Sequence, residues 1–153
     1  ILVHACNCQG TWGRGIAKEM KETFPDAAEH YADFCKNYCK EFRYNPLGSC
    51  LIFEKYGHQM IGNLFTSQDW KNIDSEEEIL KNTRMAVKQL LTDLPDGYEI
   101  HSPKINAGLF KVPWDKTAAI IEEEIANTKH TWVVWEYDHE SEYKAFIGRM
   151  TRT

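Results

Sequence analysis

With 153 residues, 42% of them apolar and 27% charged, the chain has the composition of one globular domain able to bury a real core. A net charge of -5 argues against broad electrostatic binding to nucleic acid, but leaves room for a small anion held by backbone amides. No apolar run approaches the roughly 20 residues of a membrane-spanning helix, and there is no signal-peptide pattern.

Five cysteines (Cys6, Cys8, Cys35, Cys39 and Cys50) form an odd set without a secretory signal, so reduced thiols and a cytosolic or nuclear setting are expected. The chain has no initiator methionine and opens inside an apolar strand, Ile1-Leu2-Val3, so an N-terminal piece is expected to be missing.

Residues 1–5 read as a short buried strand. A helix follows from about Gly13, with Ile16, Met20 and Phe24 on one stripe, and Pro25-Asp26 interrupts it. A second helix is expected from Asp26 to Tyr38, with Ala27, Tyr31 and Phe34 facing inward. Asn45-Pro46-Leu47-Gly48 reads as a turn, followed by strands at Cys50–Lys55 and Met60–Phe65.

The clearest helix covers 75–92. Ser75 and Glu78 form an S-x-x-E capping box, and Ile79, Leu80, Thr83, Ala86, Val87, Leu90 and Leu91 share a face. Leu94-Pro95-Asp96-Gly97 ends it, and a strand is expected at Tyr98–His101. Trp114, Ala118, Ile121 and Ile125 mark another amphipathic helix. Thr131–Tyr137 is apolar on both faces, as a buried strand would be, and residues 138–153 carry Tyr143, Phe146, Ile147 and Met150 at helical spacing. Strands alternating with helices predict an α/β layered fold with helices on both faces of the sheet. Ligands bind such sheets at the carboxyl ends of strands, where the loops 6–15 and 102–112 lie.

Three chemistries compete for Cys6-Asn7-Cys8-Gln9-Gly10-Thr11-Trp12-Gly13-Arg14-Gly15. The Cys6-x-Cys8 spacing is wrong for a structural zinc pair, though His4, Cys35 and Cys39 are conceivable additional ligands. Burial as small apolar residues is the plain alternative for the thiols. The glycine order matches neither the dinucleotide fingerprint nor a P-loop. Glycines before a helix start still let backbone amides approach an anion, and a tight connection without ligand is equally compatible with them. A second amide-rich turn, Pro103-Lys104-Ile105-Asn106-Ala107-Gly108-Leu109-Phe110, could face the first and grip a diphosphate from the other side.

These two stretches carry a resemblance. Val3-His4-Ala5-Cys6-Asn7 with Gly13-Arg14-Gly15-Ile16-Ala17 resembles the first ligand loop of macro domains, and residues 103–110 resemble their second, phosphate-clasping loop. The detailed form is similar to the fungal ADP-ribose 1''-phosphate phosphatase branch, as are Leu47-Gly48-x-Cys50 and Leu64-Phe65-Thr66-Ser67. The resemblance implies a three-layer α/β/α fold with a mixed sheet whose N-terminal strand region is truncated. It also implies a macro domain core over 1–137, with 138–153 as a helical C-terminal extension.

By the same resemblance the ligand is ADP-ribose or a derivative. Asn7 matches the asparagine that holds the distal ribose. Gly13, Arg14, Gly15 and Ile16 would line the diphosphate and distal ribose, with Asn106, Ala107, Gly108, Leu109 and Phe110 opposite, and Trp135 beside the adenine. His4 stands where many members carry asparagine and the phosphatase branch carries histidine. His4 and Asn7 are therefore the expected catalytic pair, with His4 activating a water or protonating the leaving oxygen. The competing reading of His4 is a hydrogen-bonded core histidine.

Ser67 and Phe110 replace the lysine and aspartate of members that work through a lysine intermediate, which argues against that route. The expected activity is a metal-independent and cofactor-independent phosphatase converting ADP-ribose 1''-phosphate to ADP-ribose and phosphate. The alternatives are a non-catalytic reader of free or protein-linked ADP-ribose and a mono-ADP-ribosyl hydrolase. A monomer is expected, in the cytoplasm or nucleus, with no nucleic acid or membrane partner beyond an ADP-ribosylated protein.

Overall fold

Leu2, Val3, His4, Cys6 and Asn7 are all buried, because the strand they form (β1, Leu2–Asn7) has a parallel neighbour on each side and helices above and below. The computed structural model describes residues 1–12, 15–55, 59–69, 71 and 74–136, with the backbone alone at Gly15 and Ile16. Within these lie α1 (Gly15–Thr23), α2 (Pro25–Asp33), a π-helical turn (Phe34–Tyr38), a final helical turn α3 (Cys39–Glu41), β2 (Cys50–Lys55) and β3 (Gln59–Ser67). After them come α4 (Glu76–Asp93), β4 (Glu99–Pro103), α5 (Trp114–Ile125) and β5 (Thr131–Trp135). The expectations for Gly13, Arg14, Tyr137 and residues 138–153 lie outside the described residues.

The sheet order is β2-β3-β1-β4-β5, with only the edge strand β2 antiparallel to its neighbour. This is the expected mixed sheet. Alternation along β1 divides the core in two. Leu2 and Cys6 join Ile61 and Phe65 beneath Met20, Phe24, Ala27 and Tyr31 of α1 and α2. On the other face, Val3 and Leu64 meet Ala86, Val87 and Leu90 of α4 and Ile121 of α5.

Pro25 starts α2 at a position where no intrahelical N–H bond is lost. The helix then widens: the Cys39 N–H bonds the Phe34 carbonyl, and this π-helical turn interrupts the regular helix expected to run to Tyr38. Cys35 and Cys39 are buried on either side of it. The capping box of α4 forms as predicted, with Glu78 N–H to Ser75 Oγ and Ser75 N–H to Glu78 Oε2 both at 3.1 Å.

Gly62 of β3 is the tightest point between layers. A Cβ there would stand 2.9 Å from Val3 Cγ2 and 3.6 Å from Leu90 Cδ1. Val3 is branched at Cβ and fully buried, so it cannot swing aside. Gly62→Ala should therefore lower unfolding stability by about 1–3 kcal/mol, measured by chemical denaturation, despite the higher strand propensity of alanine.

Candidate functional site

The carboxyl ends of β1, β3 and β4 meet at one edge of the sheet, and each feeds a loop. β1 leaves its ladder at Asn7, where the register shifts from Cys6↔Phe65 to Asn7↔Ser67. The Asn7 side chain then folds back on its own loop: Oδ1 accepts from Gln9 N–H at 2.8 Å and Nδ2 donates to the Thr11 carbonyl at 3.0 Å. Gly10 follows with φ +77, close against α2's extension, where an added Cβ would lie 3.2 Å from both Cys35 Cβ and Lys36 Cε. Both conditions demand glycine there.

The second loop is anchored by its side chains and by its own turns, Ala107 N–H to the Lys104 carbonyl at 3.3 Å and Lys111 N–H to the Gly108 carbonyl at 3.1 Å. Ile105 and Val112 are buried, and Val112 N–H bonds the Asn106 carbonyl at 2.9 Å. Asn106 has φ +66 and is 4% exposed. Its Oδ1 accepts from Thr66 Oγ1 of β3 at 2.8 Å, and its Nδ2 donates to Thr83 Oγ1 of α4 at 2.9 Å and to Thr117 Oγ1 of α5 at 3.4 Å. Asn106 was expected among the ligand-binding residues, and its side chain is engaged within the protein. It ties three elements together and is used up in doing so. Ala107 is half-buried, Gly108 and Leu109 are exposed, and nothing lies within 4 Å of a Cβ placed on Gly108.

His4 is the larger correction. It sits in the middle of β1 opposite Asn63, three residues short of the carboxyl end, and is 1% exposed. Nε2 lies 2.7 Å from Asn63 Oδ1, and Asn63 Nδ2 donates to the Leu51 carbonyl at 3.1 Å. That second bond fixes the amide, so Nε2 carries the imidazole proton. The Trp12 ring closes over the imidazole edge-on, 4.6 Å between centroids. Burial holds His4 neutral, with its pKa lowered to about 4, partly offset by the Asn63 hydrogen bond. The core-histidine reading is the one this geometry supports.

The thiols are equally withdrawn. All five cysteines are buried and unpaired. Desolvation pushes Cys8, Cys35 and Cys50 up to about 12 and Cys6 well above its ordinary range. Trp135 ends β5 opposite Pro103 and donates its indole N–H to His101 Nδ1 at 2.8 Å, with His101 also paired to Glu99.

A third wall went unnoticed in the sequence. Gln68 accepts from Cys8 N–H at 3.3 Å and from Gln9 Nε2 at 3.1 Å through its carbonyl, which fastens the first loop to the β3–α4 connection. Asp74 Oδ2 accepts from Ser67 Oγ at 2.6 Å and from Gln68 N–H at 2.7 Å. Its negative charge reaches Cys8 on the first loop, where it opposes thiol ionisation. Position just ahead of the Ser75 cap made Asp74 look like an ordinary helix lead-in. Only the tertiary structure sets its carboxylate against Ser67 and Gln68 at the end of β3.

A mixed sheet between two helical layers, with loops leaving the carboxyl ends of the adjacent strands β1 and β4, defines a three-layer α/β/α domain. The macro domain family model matches residues 3–121, and the chain belongs to that family. It is 32% identical over 150 residues to an ADP-ribose 1''-phosphate phosphatase of Saccharomyces cerevisiae, spanning 80% of this chain and 82% of the relative. It is 35% identical over 133 residues to the Candida albicans protein of the same name, spanning 80% of each. The fold agrees with the macrodomain of Mycobacterium tuberculosis DarG at a TM-score of 0.72 and 18% identity, covering 87% of this chain and 86% of that one. Thermosipho africanus DarTG in complex with ADP-ribose aligns at a TM-score of 0.71 and 16% identity, over 88% of this chain and 37% of that one.

The depressed pKa of His4 makes stability pH-dependent. Between about pH 6.5 and 4 the unfolded chain binds a proton at His4 that the folded chain refuses. The contribution is complete above pH 6.5, is lost as pH falls, and reaches on the order of 3 kcal/mol. Denaturant titrations at pH 7 and pH 4.5 should show this loss, and His4→Gln should flatten it.

Proposed function

We propose that the chain is a phosphatase converting ADP-ribose 1''-phosphate to ADP-ribose and phosphate. The observation that carries this reading is the pair of loops at the carboxyl ends of the adjacent strands β1 and β4, in a macro domain whose fungal relatives bear that name. Among the described residues nothing stands within 4 Å of a Cβ built on Gly108, so an external group has room to approach the backbone there. Backbone amides of the two loops supply donors for the diphosphate without any net positive charge. The distal ribose falls at Asn7, and the terminal phosphate beyond it.

Hydrolysis needs a water activated against the phosphorus and a proton for the departing ribose oxygen. His4 is sealed inside the core, so it acts through packing: it supports Trp12 and the strand that ends in Asn7. Asp74 is the better-placed base. Among the described residues its donors, Ser67 Oγ and the Gln68 N–H, both fall on Oδ2, and its charge reaches Cys8 of the first loop. The P–O bond to the ribose breaks as the water oxygen bonds phosphorus, the water proton passes to Asp74, and the departing ribose oxygen takes its proton from solvent.

The burial of His4 also gives weight to a second reading, a reader that binds ADP-ribose without turnover. Phosphate release from ADP-ribose 1''-phosphate separates the two. The phosphatase reading expects turnover, and Asp74→Asn should reduce kcat by about 100-fold or more while ADP-ribose affinity stays within a few-fold. Normal ADP-ribose binding with no phosphate released by the unaltered protein would establish the reader. Gly108→Val should weaken ADP-ribose binding at least tenfold with little change in melting temperature, read by calorimetry, since the added side chain meets only the open crevice.

A further inference from the structure

Tyr31 lies on α2, outside both loops, yet its hydroxyl reaches the end of β1. It donates to the Asn7 carbonyl at 2.5 Å and lies 3.1 Å from Asn7 Oδ1. The residue is 1% exposed, and its ring is held between Trp12, stacked at 5.1 Å, and Phe65 at 5.9 Å. A phenol this enclosed has no freedom to turn away. We propose that Tyr31 is a positioning residue that sets Asn7 so that Asn7 meets its ligand as a hydrogen-bond donor.

The assignment follows from counting. A side-chain amide has two acceptor sites on its oxygen and two N–H donors. On Asn7, the oxygen accepts from Gln9 N–H at 2.8 Å and shares the Tyr31 hydroxyl proton. One N–H goes to the Thr11 carbonyl at 3.0 Å. Among the described residues, what remains uncommitted is one N–H. The ligand atom opposite must therefore be an acceptor, a hydroxyl or phosphate oxygen. A flipped amide would set Nδ2 against the Gln9 N–H, donor against donor, and Oδ1 against the Thr11 carbonyl, acceptor against acceptor.

Tyr31 holds the main-chain carbonyl at the same time. β1 shifts register between Cys6 and Asn7, so the strand ladder alone does not orient this last residue. The hydroxyl couples α2 to the loop at that point. Its effect is selective by geometry: among the described residues its hydroxyl bonds the part of the site assigned to the distal ribose.

This proposal rests on the ADP-ribose reading of the site, and its test keeps the two apart. Tyr31→Phe removes the hydroxyl and leaves the ring stack. ADP-ribose and ADP, which lacks the distal ribose, are titrated calorimetrically against both proteins, and amide exchange at Gln9 is followed by NMR. The expected result is roughly fivefold weaker ADP-ribose binding, the scale of one lost hydrogen bond, with ADP affinity unchanged and Gln9 exchange several-fold faster. Equal losses for both ligands would assign Tyr31 a merely structural role and overturn the proposal, as would an unchanged ADP-ribose affinity or an unchanged Gln9 exchange rate.

Asn7→Asp supplies the second arm. It keeps an acceptor for Gln9 and Tyr31 but has no N–H, so ADP-ribose binding should fall more than tenfold with Gln9 still protected. Retained binding would overturn the donor assignment. If the unaltered protein failed to bind ADP-ribose, the functional reading would fall, and Gln9 exchange in Tyr31→Phe would decide the clamp by itself.

Discussion

The double enclosure of β1 is the constraint on which the rest of the structure depends. A strand with parallel partners on both edges and helices on both faces can expose only its ends. Everything along Leu2–Cys6 is committed to the core, and the first residue free to do chemistry is Asn7. The layer spacing follows from the same enclosure. Gly62 exists where it does because Val3 and Leu90 converge on it from β1 and α4. His4 takes its neutral state and its Asn63 partner from this strand's burial, not from any catalytic duty.

The two loops that leave the sheet solve one problem in two ways. Each must hold an irregular backbone still while leaving its amides available to a ligand. The first does so with a short circuit of bonds within itself, Asn7 to Gln9 and Thr11, braced by Tyr31 from α2 and by Gln68 from the next connection. The second sends one side chain inward: Asn106 bonds threonines on β3, α4 and α5, and its own backbone takes a left-handed turn outward. In both cases an asparagine side chain is spent on holding the protein's own backbone.

Periodicity made most of the architecture legible. The α4 boundaries followed from a capping box whose bonds form as expected, and β2 ran over the residues read as a strand, because local hydrogen bonding and alternation decide such elements. β1 and β3 ran two residues further than their apolar runs, since Asn7, Thr66 and Ser67 are polar but still paired. The π-helical turn at Phe34–Tyr38 had no sequence signal at all. The two loop motifs were visible as glycines and asparagines between strand and helix, and they do sit at the carboxyl ends of neighbouring strands. Asp74 and Tyr31 escaped notice because an acidic residue before a helix cap and an aromatic on an amphipathic stripe are what any such fold contains.

The amino-acid sequence by itself determined the layered α/β/α class, the macro domain family and the place of the ligand loops, because these depend on local patterns and on short spacings. Tertiary structure alone decided what each polar residue does. His4, Asn63, Asn106 and Tyr31 all look like site residues or core residues with equal ease in one dimension. Their roles turn on whether a partner from another element, 24 to 59 positions away for Tyr31 and His4, takes up the hydrogen bond first. Burial makes that choice, since an enclosed polar atom must find its partner within the protein, and only an atom left over can serve a ligand.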